Sequence, residues 1–258
     1  MRNIKALLFL LLLVVPATMA ASLPDIIDRV RPSVVGVGTV YPPRQPNRKG
    51  ETVAYRGTGF VVGNGRQVIT NAHVIPAKLD AGRNQSIAIF AGRGAKATVH
   101  SARVLRTDTE HDLALLEFHG KTLPAMQIGD SSTVREGQDI AFTGYPMGMV
   151  LGLYPVTHRG MVAAISPMAR PAEKARTINS AQMHRLRNPF DAFQLDATAY
   201  PGHSGSPVYI PDTGRVVGVI NSVLVKESKE SILHKPSGIS YAIPASYIQK
   251  LLNANGGS

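Results

Sequence analysis

The sequence predicts an all-β protein with one short helix near each end, and this expectation rests on three observations. Runs rich in Val, Ile, Thr and aromatic residues recur along the 258-residue chain. Gly, Pro, Asn and Asp separate these runs, as is typical of turns between strands. Helical spacing of apolar residues is confined to two short segments. The pattern favours barrels or a sandwich over an alternating α/β fold.

The first predicted element is a helix at 23–30, because apolar residues recur there at helical spacing and Pro32 follows. Twelve strands are predicted after it, at 33–40, 58–62, 67–70, 86–89, 97–105, 113–117, 139–143, 156–165, 193–195, 207–210, 216–225 and 240–242. A last helix is predicted at 245–252, directly after Pro244. We expect one folded domain at 21–252 and a flexible, glycine-rich tail at 253–258.

Two of the predicted connections are long. The first, at 41–56, carries three prolines and four basic residues, and we predict an exposed loop. The second, at 168–191, carries five basic residues. A connection of this length is usually functional or mobile, although an ordinary solvated excursion accounts for it equally well.

The N-terminal residues 1–20 have the pattern of a cleavable secretory signal peptide. Arg2 and Lys5 precede an apolar run at 6–15, and small residues follow it. The run is shorter than the roughly 20 residues of a membrane-spanning helix, and a retained anchor is the alternative. We therefore predict cleavage after Ala20, no stable membrane insertion afterwards, and a periplasmic location, with secretion as the alternative.

The charge and the cysteine content of the chain indicate which kinds of partner and which kind of stabilisation to expect. The chain has 28 Lys and Arg against 17 Asp and Glu, a formal charge of +11, which favours encounters with anionic surfaces or acidic proteins. It lacks the motifs of nucleic-acid-binding folds, so we expect no nucleic acid partner. With no cysteine, the exported chain must be stabilised by packing alone. No metal or cofactor is implied.

The run Gly-His-Ser-Gly-Ser-Pro at 202–207 is the strongest candidate for chemistry. A serine flanked by glycines lies where the backbone can turn sharply and approach a substrate. The backbone N–H groups of Gly202 and Ser204 are candidates for an oxyanion hole, which acyl transfer requires. Glycine-flanked serines are also common in ordinary turns, so this run alone does not identify a nucleophile.

A serine nucleophile needs an imidazole base, which in turn needs an orienting carboxylate. His73 follows a strand-like run and is the candidate base, although histidines at strand ends are often structural. Asp112 opens the apolar run at 113–116 and is the candidate carboxylate, because burying it there is costly unless it is paired. His203 is adjacent to Ser204 and is not assigned as the base, and His158 is expected at the surface or in a loop.

Three blocks in the order His, Asp, Ser resemble the catalytic blocks of trypsin-like serine proteases. They are Thr-Asn-Ala-His-Val at 70–74, Asp-Leu-Ala-Leu-Leu at 112–116 and Gly-His-Ser-Gly-Ser-Pro-Val at 202–208. Further runs at 30–35, 57–61 and 238–244 are similar to the protease domain of the HtrA (Deg) family. The resemblance implies two six-stranded antiparallel β-barrels with short flanking helices, and an endopeptidase that acts on exported or unfolded polypeptides.

The resemblance also implies a set of site residues. Ser204 would be the nucleophile, His73 the base and Asp112 the orienting residue, with the N–H groups of Gly202 and Ser204 as the oxyanion hole. Thr198, Tyr200 and Ser222 would line the S1 pocket, and because none is charged, small or medium apolar side chains are expected there. HtrA relatives often form trimers and carry PDZ domains. A monomer or a trimer is compatible with this sequence, and no PDZ domain is expected in it.

The sequence departs from the HtrA pattern at the nucleophile, where His203 and Ser206 replace Asn and Gly. The Ser-Gly-Ser-Pro run is similar to that of glutamyl endopeptidases, which keeps an acidic S1 preference open. An esterase of the α/β-hydrolase class is a rival, but its residue order is Ser, Asp, His. A second rival is a latent or non-catalytic protein that keeps the protease fold and holds an acidic partner.

Overall fold

The computed structural model describes residues 21–43, 52–146, 152–168, 190–221 and 239–254. These residues form two closed six-stranded barrels, with one α-helix before the first barrel and one after the second. The predicted all-β class and the predicted pair of barrels are therefore confirmed. Within the described ranges, no helix is long and apolar enough to cross a membrane.

The first barrel contains the strands that carry two of the three predicted catalytic blocks. Its strands are β1 (Val34–Val40), β2 (Val53–Val62), β3 (Gln67–Asn71), β4 (Ser86–Ala91), β5 (Thr98–Asp108) and β6 (Leu113–Phe118). They are ordered β1-β2-β3-β6-β5-β4, and β4 closes the barrel by pairing with β1. The pairing of β3 with β6 brings the chain segments after Asn71 and before Leu113 to the same end of the barrel.

The second barrel contains the strands on either side of the serine motif. Its strands are β7 (Asp139–Gly144), β8 (Val156–Met168), β9 (Phe190–Asp196), β10 (Pro207–Tyr209), β11 (Val216–Ile220) and β12 (Ile239–Pro244). They are ordered β10-β11-β12-β9-β8-β7, and β7 closes on β10. The loop at 197–206 therefore connects β9 to β10, which are not neighbours in the sheet.

An apolar layer joins the two barrels. Each barrel has its own interior cluster, with Val37 in the first and Phe142 in the second. A third cluster combines residues of both barrels, among them Phe60 and Tyr209, which are fully buried. Because residues of both barrels share one buried cluster, the two barrels pack as a unit along this layer.

The two helices pack against this layer. Helix α1 (Leu23–Val30) contributes Ile26, and helix α2 (Ala245–Asn253) contributes Ile248, both fully buried. The C-terminal carbonyls of α2 are held by Arg106 of β5, whose guanidinium donates to the carbonyls of Leu251 and Leu252 at 3.1 and 3.0 Å. A helix leaves such carbonyls without partners inside the helix, so this contact fixes the end of α2 to the first barrel.

Several predicted boundaries were wrong. Strand β2 begins at Val53 and pairs with β1, which shortens the loop predicted at 41–56. Strands β8 and β9 pair as far as Met168 and Phe190, which shortens the loop predicted at 168–191. Helix α2 ends at Asn253, one residue beyond the predicted helix end. Several predicted features lie outside the described residues: the signal peptide at 1–20, the loop parts at 44–51 and 169–189, the strand end at 222–225 and the tail at 255–258.

Candidate active site

The first barrel places His73 beside Asp112. Strand β3 ends at Asn71, and a single 3-10 turn at Ala72–Val74 presents the histidine. Asp112 immediately precedes β6, and its carbonyl accepts hydrogen bonds from the Ala72 N–H at 3.0 Å and from the Asn71 side chain at 3.1 Å. The pairing of β3 with β6 thus brings together two residues that are far apart in the sequence.

Both carboxylate oxygens of Asp112 contact His73. The backbone N–H of His73 donates to Oδ1 at 3.0 Å, and the ring Nδ1 lies 2.6 Å from Oδ2. A carboxylate accepts only, so Nδ1 carries the hydrogen in this pair and Nε2 keeps a lone pair. The side chain of His73 is 29% exposed and that of Asp112 is 5% exposed, so Nε2 belongs to a ring that solvent or a substrate can reach.

Asp112 adopts an uncommon backbone conformation, with φ at +55°. Aspartate tolerates this left-handed region better than most residues, at a cost of roughly 1–3 kcal/mol. Backbone strain of this kind persists where surrounding contacts fix it, and the hydrogen bonds to His73 and Asn71 provide such contacts. No pattern in the sequence predicted this conformation.

Asn221 from the second barrel completes the surroundings of Asp112. Its side-chain Nδ2 donates to Asp112 Oδ2 at 2.8 Å, and its backbone N–H donates to the carbonyl of Tyr241 at 2.9 Å. Asn221 is 1% exposed. The sequence predicted no role for Asn221 itself, and only its neighbour Ser222 was named, as a residue of the S1 pocket. The sequence signal that could have identified Asn221 is an amide residue directly after the apolar run of β11.

Ser204 lies in a tight loop that is docked onto the first barrel. Gly202 and Gly205 on either side of it have φ values of +100° and +89°, which favour glycine. Thr58 of β2 holds this loop with two hydrogen bonds, from its N–H to the carbonyl of Ser204 at 2.8 Å and from its hydroxyl to the carbonyl of Gly202 at 2.7 Å. The loop is therefore fixed by contacts across the two barrels.

Gly57 lies next to both the Ser204 loop and the His73 turn. A side chain at Gly57 would approach Val74 Cγ2 to 2.7 Å and the Ser204 carbonyl to 3.0 Å. Since Val74 is the neighbour of His73, the serine loop and the histidine turn meet at this point. The structure thus brings all three predicted catalytic residues to the seam between the barrels.

The backbone N–H groups of this loop differ in whether they have an acceptor. Those of His203, Gly205 and Ser206 donate to the carbonyls of Tyr200, Ile220 and His203, at 2.9 to 3.0 Å. For the N–H of Gly202, by contrast, we find no acceptor among the residues that the structure describes. Gly202 therefore offers a donor to a ligand at this loop, which is one of the two donors predicted for the oxyanion hole.

His203 is fully buried beneath the loop, and it is not a candidate base for Ser204. Its Nδ1 accepts the backbone N–H of Tyr200 at 2.9 Å, so this nitrogen must be deprotonated and Nε2 carries the hydrogen. Its ring packs edge-on against Phe142 and His158, at centroid distances of 5.4 and 5.0 Å. Burial, together with the neighbouring His158, lowers the pKa of His203 to about 3.

The prediction that His158 lies at the surface or in a loop was wrong. It lies on β8, its ring stacks on Phe142 at 5.0 Å, and burial lowers its pKa. The ring Nε2 atoms of His158 and His203 and the hydroxyl of Ser206 are buried without a hydrogen-bond partner among the described residues. The loop therefore rests on two histidines whose environment disfavours a positive charge.

The predicted S1 residues are partly within the described structure. Thr198 and Tyr200 are both half-buried, whereas Ser222 lies outside the described residues. The segment that carries the first two is held by Ser240 of β12, whose hydroxyl donates to the Ala197 carbonyl at 2.6 Å and accepts the Ala199 N–H at 2.7 Å. This wall of the predicted pocket is consequently anchored to the second barrel.

A second histidine–aspartate pair lies next to the first. Asp108 accepts from His111, whose Nδ1 is 2.7 Å from Asp108 Oδ2, and this contact helps to lower the pKa of the carboxyl despite its partial burial. The His111 ring stacks on Tyr247 of α2 at 3.8 Å. Asp108 and His111 therefore form a structural pair that anchors α2 to the end of β5.

Comparisons with known proteins agree with this geometry. The model of the trypsin-like peptidase domain matches residues 57–219, which include all three predicted catalytic residues. A probable periplasmic serine endoprotease DegP-like of Chlamydia muridarum is 31% identical over 210 residues, which are 81% of this chain and 35% of that protein. The serine protease Do-like HtrB of Bacillus subtilis is 26% identical over 249 residues, which are 92% of this chain and 48% of that protein.

A solved structure of the HtrA-type protease AlgW with a tripeptide is similar in fold, with a TM-score of 0.61 at 23% identity. The similarity covers 91% of this chain and 63% of that chain. The chain spans less than half the length of the curated relatives named above, at 35% and 48%. These similarities therefore concern the two-barrel domain.

Proposed function

Because the chain belongs to the trypsin-like peptidase domain family, we propose that it is a serine endopeptidase of the HtrA type, with Ser204 as nucleophile, His73 as base and Asp112 as orienting residue. The observation that carries the proposal is the 2.6 Å contact between His73 Nδ1 and Asp112 Oδ2 at the seam where the Ser204 loop docks. This contact favours the tautomer that a general base needs.

The proposed reaction begins when Ser204 Oγ attacks the carbonyl carbon of a peptide bond and His73 Nε2 takes the hydroxyl proton. The carbonyl oxygen becomes an oxyanion, for which the N–H groups of Gly202 and Ser204 are the proposed donors. The imidazolium formed in this step is stabilised by the Asp112 carboxylate. Collapse of the intermediate breaks the C–N bond, and His73 returns the proton to the leaving amine.

Water completes the cycle. It attacks the acyl ester on Ser204, with His73 again as base, and the second tetrahedral intermediate uses the same proposed oxyanion donors. The product acid leaves, and the serine regains its proton from His73. In this scheme Asn221 contributes by holding Asp112 Oδ2, so that the carboxylate keeps its orientation towards the histidine.

The proposed S1 pocket has walls at Thr198, Tyr200 and Ser222 and takes small or medium apolar side chains. None of the three carries a charge, which disfavours a preference for Lys or Arg. His203 is an unsuitable receptor for a glutamyl side chain, since it is buried beneath the loop and its Nδ1 is used by Tyr200. A panel of fluorogenic peptides tests this proposal, and strong cleavage after Lys, Arg or Glu would contradict it.

The natural substrates proposed for this chain are unfolded or exported polypeptides in the periplasm. The relative from Chlamydia muridarum is named as a periplasmic endoprotease, and the sequence has the pattern of a signal peptide. The alternative of a non-catalytic protein that holds an acidic partner is not favoured, because the relatives named above are proteases and the His73–Asp112 pair is intact.

The test combines degradation of an unfolded protein, such as casein, with labelling by a fluorophosphonate probe. The wild-type protein is expected to degrade casein and to react with the probe at Ser204. The Ser204→Ala variant should do neither, while its thermal unfolding stays close to that of the wild type. Casein degradation that persists in Ser204→Ala, or a wild-type protein that degrades nothing and reacts with no probe in the presence of casein, would overturn the proposal.

A further inference from the structure

A further pocket is lined mostly by residues of the first barrel and of the segment before it, and by none of the proposed catalytic residues. It has a volume of about 460 Å³, and its apolar floor includes Pro32, Leu123 and Tyr145. Pockets of this size hold small ligands in many proteins. The pocket lining brings together residues from four separate parts of the chain, at 31–32, 91–98, 123–124 and 145, so no continuous sequence motif marks it.

Three cationic side chains surround this apolar floor. They belong to Arg31, Arg93 and Lys96. Arg31 pairs with Asp28, whereas Arg93 and Lys96 form no ion pair with a carboxylate among the described residues. Arg93 instead lies 5.6 Å from the ring centroid of Tyr154, an aromatic residue that is 52% exposed. The pocket thus combines an apolar interior with two uncompensated positive charges at its edge.

The side-chain hydroxyl of Tyr145 in this floor is already used. The Tyr145 hydroxyl donates to the Gly92 carbonyl at 3.0 Å, with the Val34 carbonyl at 3.3 Å, and burial raises its pKa to about 12. Proline has no backbone N–H to offer. A peptide needs partners for its backbone amides, but an alkyl chain does not. These facts favour an alkyl chain over a peptide as the occupant.

We propose that this pocket binds an amphipathic anion, an alkyl chain of medium length that ends in one carboxylate. The chain lies on Pro32, Leu123 and Tyr145, and the carboxylate lies between Arg93 and Lys96. The attraction between a carboxylate and two cations at the protein surface decreases as salt is added. The inference is independent of the proposed protease activity, because binding requires none of the catalytic residues.

Tyr145 also connects this pocket to the serine loop. Its backbone N–H donates to the Thr58 hydroxyl at 3.0 Å, and that hydroxyl donates to the carbonyl of Gly202 at 2.7 Å. A ligand that packs on Tyr145 is therefore two hydrogen bonds away from the loop of Ser204. Occupancy is expected to change the rate at which Ser204 reacts with a fluorophosphonate.

Titration calorimetry with decanoate, on the Ser204→Ala protein at low ionic strength, tests the binding. Decanol supplies the chain without the charge, acetate supplies the charge without the chain, and N-acetyl-trileucine supplies a peptide carboxylate. Saturable binding of decanoate, with decanol and acetate each at least about tenfold weaker, is expected. Equal binding of decanol, or tighter binding of the peptide, would overturn the assignment of the ligand.

Charge reversal locates the site. Lys96→Glu and Arg93→Glu are each expected to weaken decanoate binding about tenfold, whereas Arg135→Glu, an exposed residue of the second barrel, should leave it unchanged. Equal weakening by all three variants would overturn the site, because it would indicate only the effect of net charge.

Labelling of wild-type Ser204 with and without decanoate is the second readout, and an unchanged rate would refute the link through Tyr145. A wild-type protein that never reacts with the probe contradicts the proposed function and leaves the calorimetric result standing.

Discussion

Replacing His203 by asparagine is expected to make the protein more resistant to acid. In the wild type, His203 is buried with its Nδ1 occupied by the Tyr200 N–H, and its pKa is about 3. The unfolded chain has an ordinary histidine pKa of about 6.5. The unfolded state therefore binds a proton at this position over a range of pH in which the folded state does not, and stability falls as the pH decreases through that range.

The size of the effect follows from the two pKa values. The stabilisation is present above the unfolded pKa and is lost progressively as the pH falls towards the folded pKa of about 3. One pKa unit corresponds to about 1.4 kcal/mol. Between pH 7 and pH 4.5, His203 alone then reduces the free energy of unfolding by roughly 2–3 kcal/mol. Asparagine does not titrate, so this loss is absent in the variant.

Urea unfolding at pH 7 and at pH 4.5 measures the difference. The His203→Asn variant should lose roughly 2–3 kcal/mol less than the wild type between the two conditions. His119→Asn is the matched control, since His119 is exposed, and it should behave as the wild type does. At pH 7 the asparagine Oδ1 can still accept the Tyr200 N–H. Equal acid losses in His203→Asn and the wild type would refute the assignment of His203 as a buried neutral histidine.

Two further substitutions test the contacts around the proposed triad. Asn221→Leu removes the donor to Asp112 Oδ2 and is expected to lower kcat about 10- to 100-fold with little change in KM, measured by steady-state kinetics on a fluorogenic peptide. A variant with wild-type kcat would show that Asp112 is held without Asn221. Thr58→Val removes the hydroxyl that joins Tyr145 to Gly202 and should slow fluorophosphonate labelling of Ser204 about tenfold, whereas Thr58→Ser should restore it. Equal rates in Thr58→Val and the wild type would contradict the role of this hydroxyl.

Strand and helix positions could be predicted well from the sequence, because the local pattern decides them. Each of the twelve predicted strands overlaps a strand of the structure, and the helix at 23–30 has the predicted bounds. The errors lie at hairpin ends, such as Val53 and Phe190, where pairing with a neighbouring strand extends a strand beyond its apolar run.

Only those residues of the candidate site that lie in recognisable motifs, arranged in the order His, Asp, Ser along the chain, could be predicted. His73, Asp112 and Ser204 stand in recognisable runs, and the structure brings them together. Asn221 and His158 could not be assigned, because their surroundings depend on how the two barrels dock and on how β8 pairs with β7. The pocket around Pro32, Leu123 and Tyr145 was not predicted either, because its residues come from distant parts of the chain.

The division of the proposed triad between two barrels makes the proposed reaction depend on the folding of both. His73 and Asp112 belong to the first barrel, whereas Ser204 follows β9 of the second. A chain in which only one barrel has folded holds the base or the nucleophile, but never both. The proposed proteolysis is then conditional on both barrels being folded, because a molecule with one folded barrel lacks part of the proposed triad.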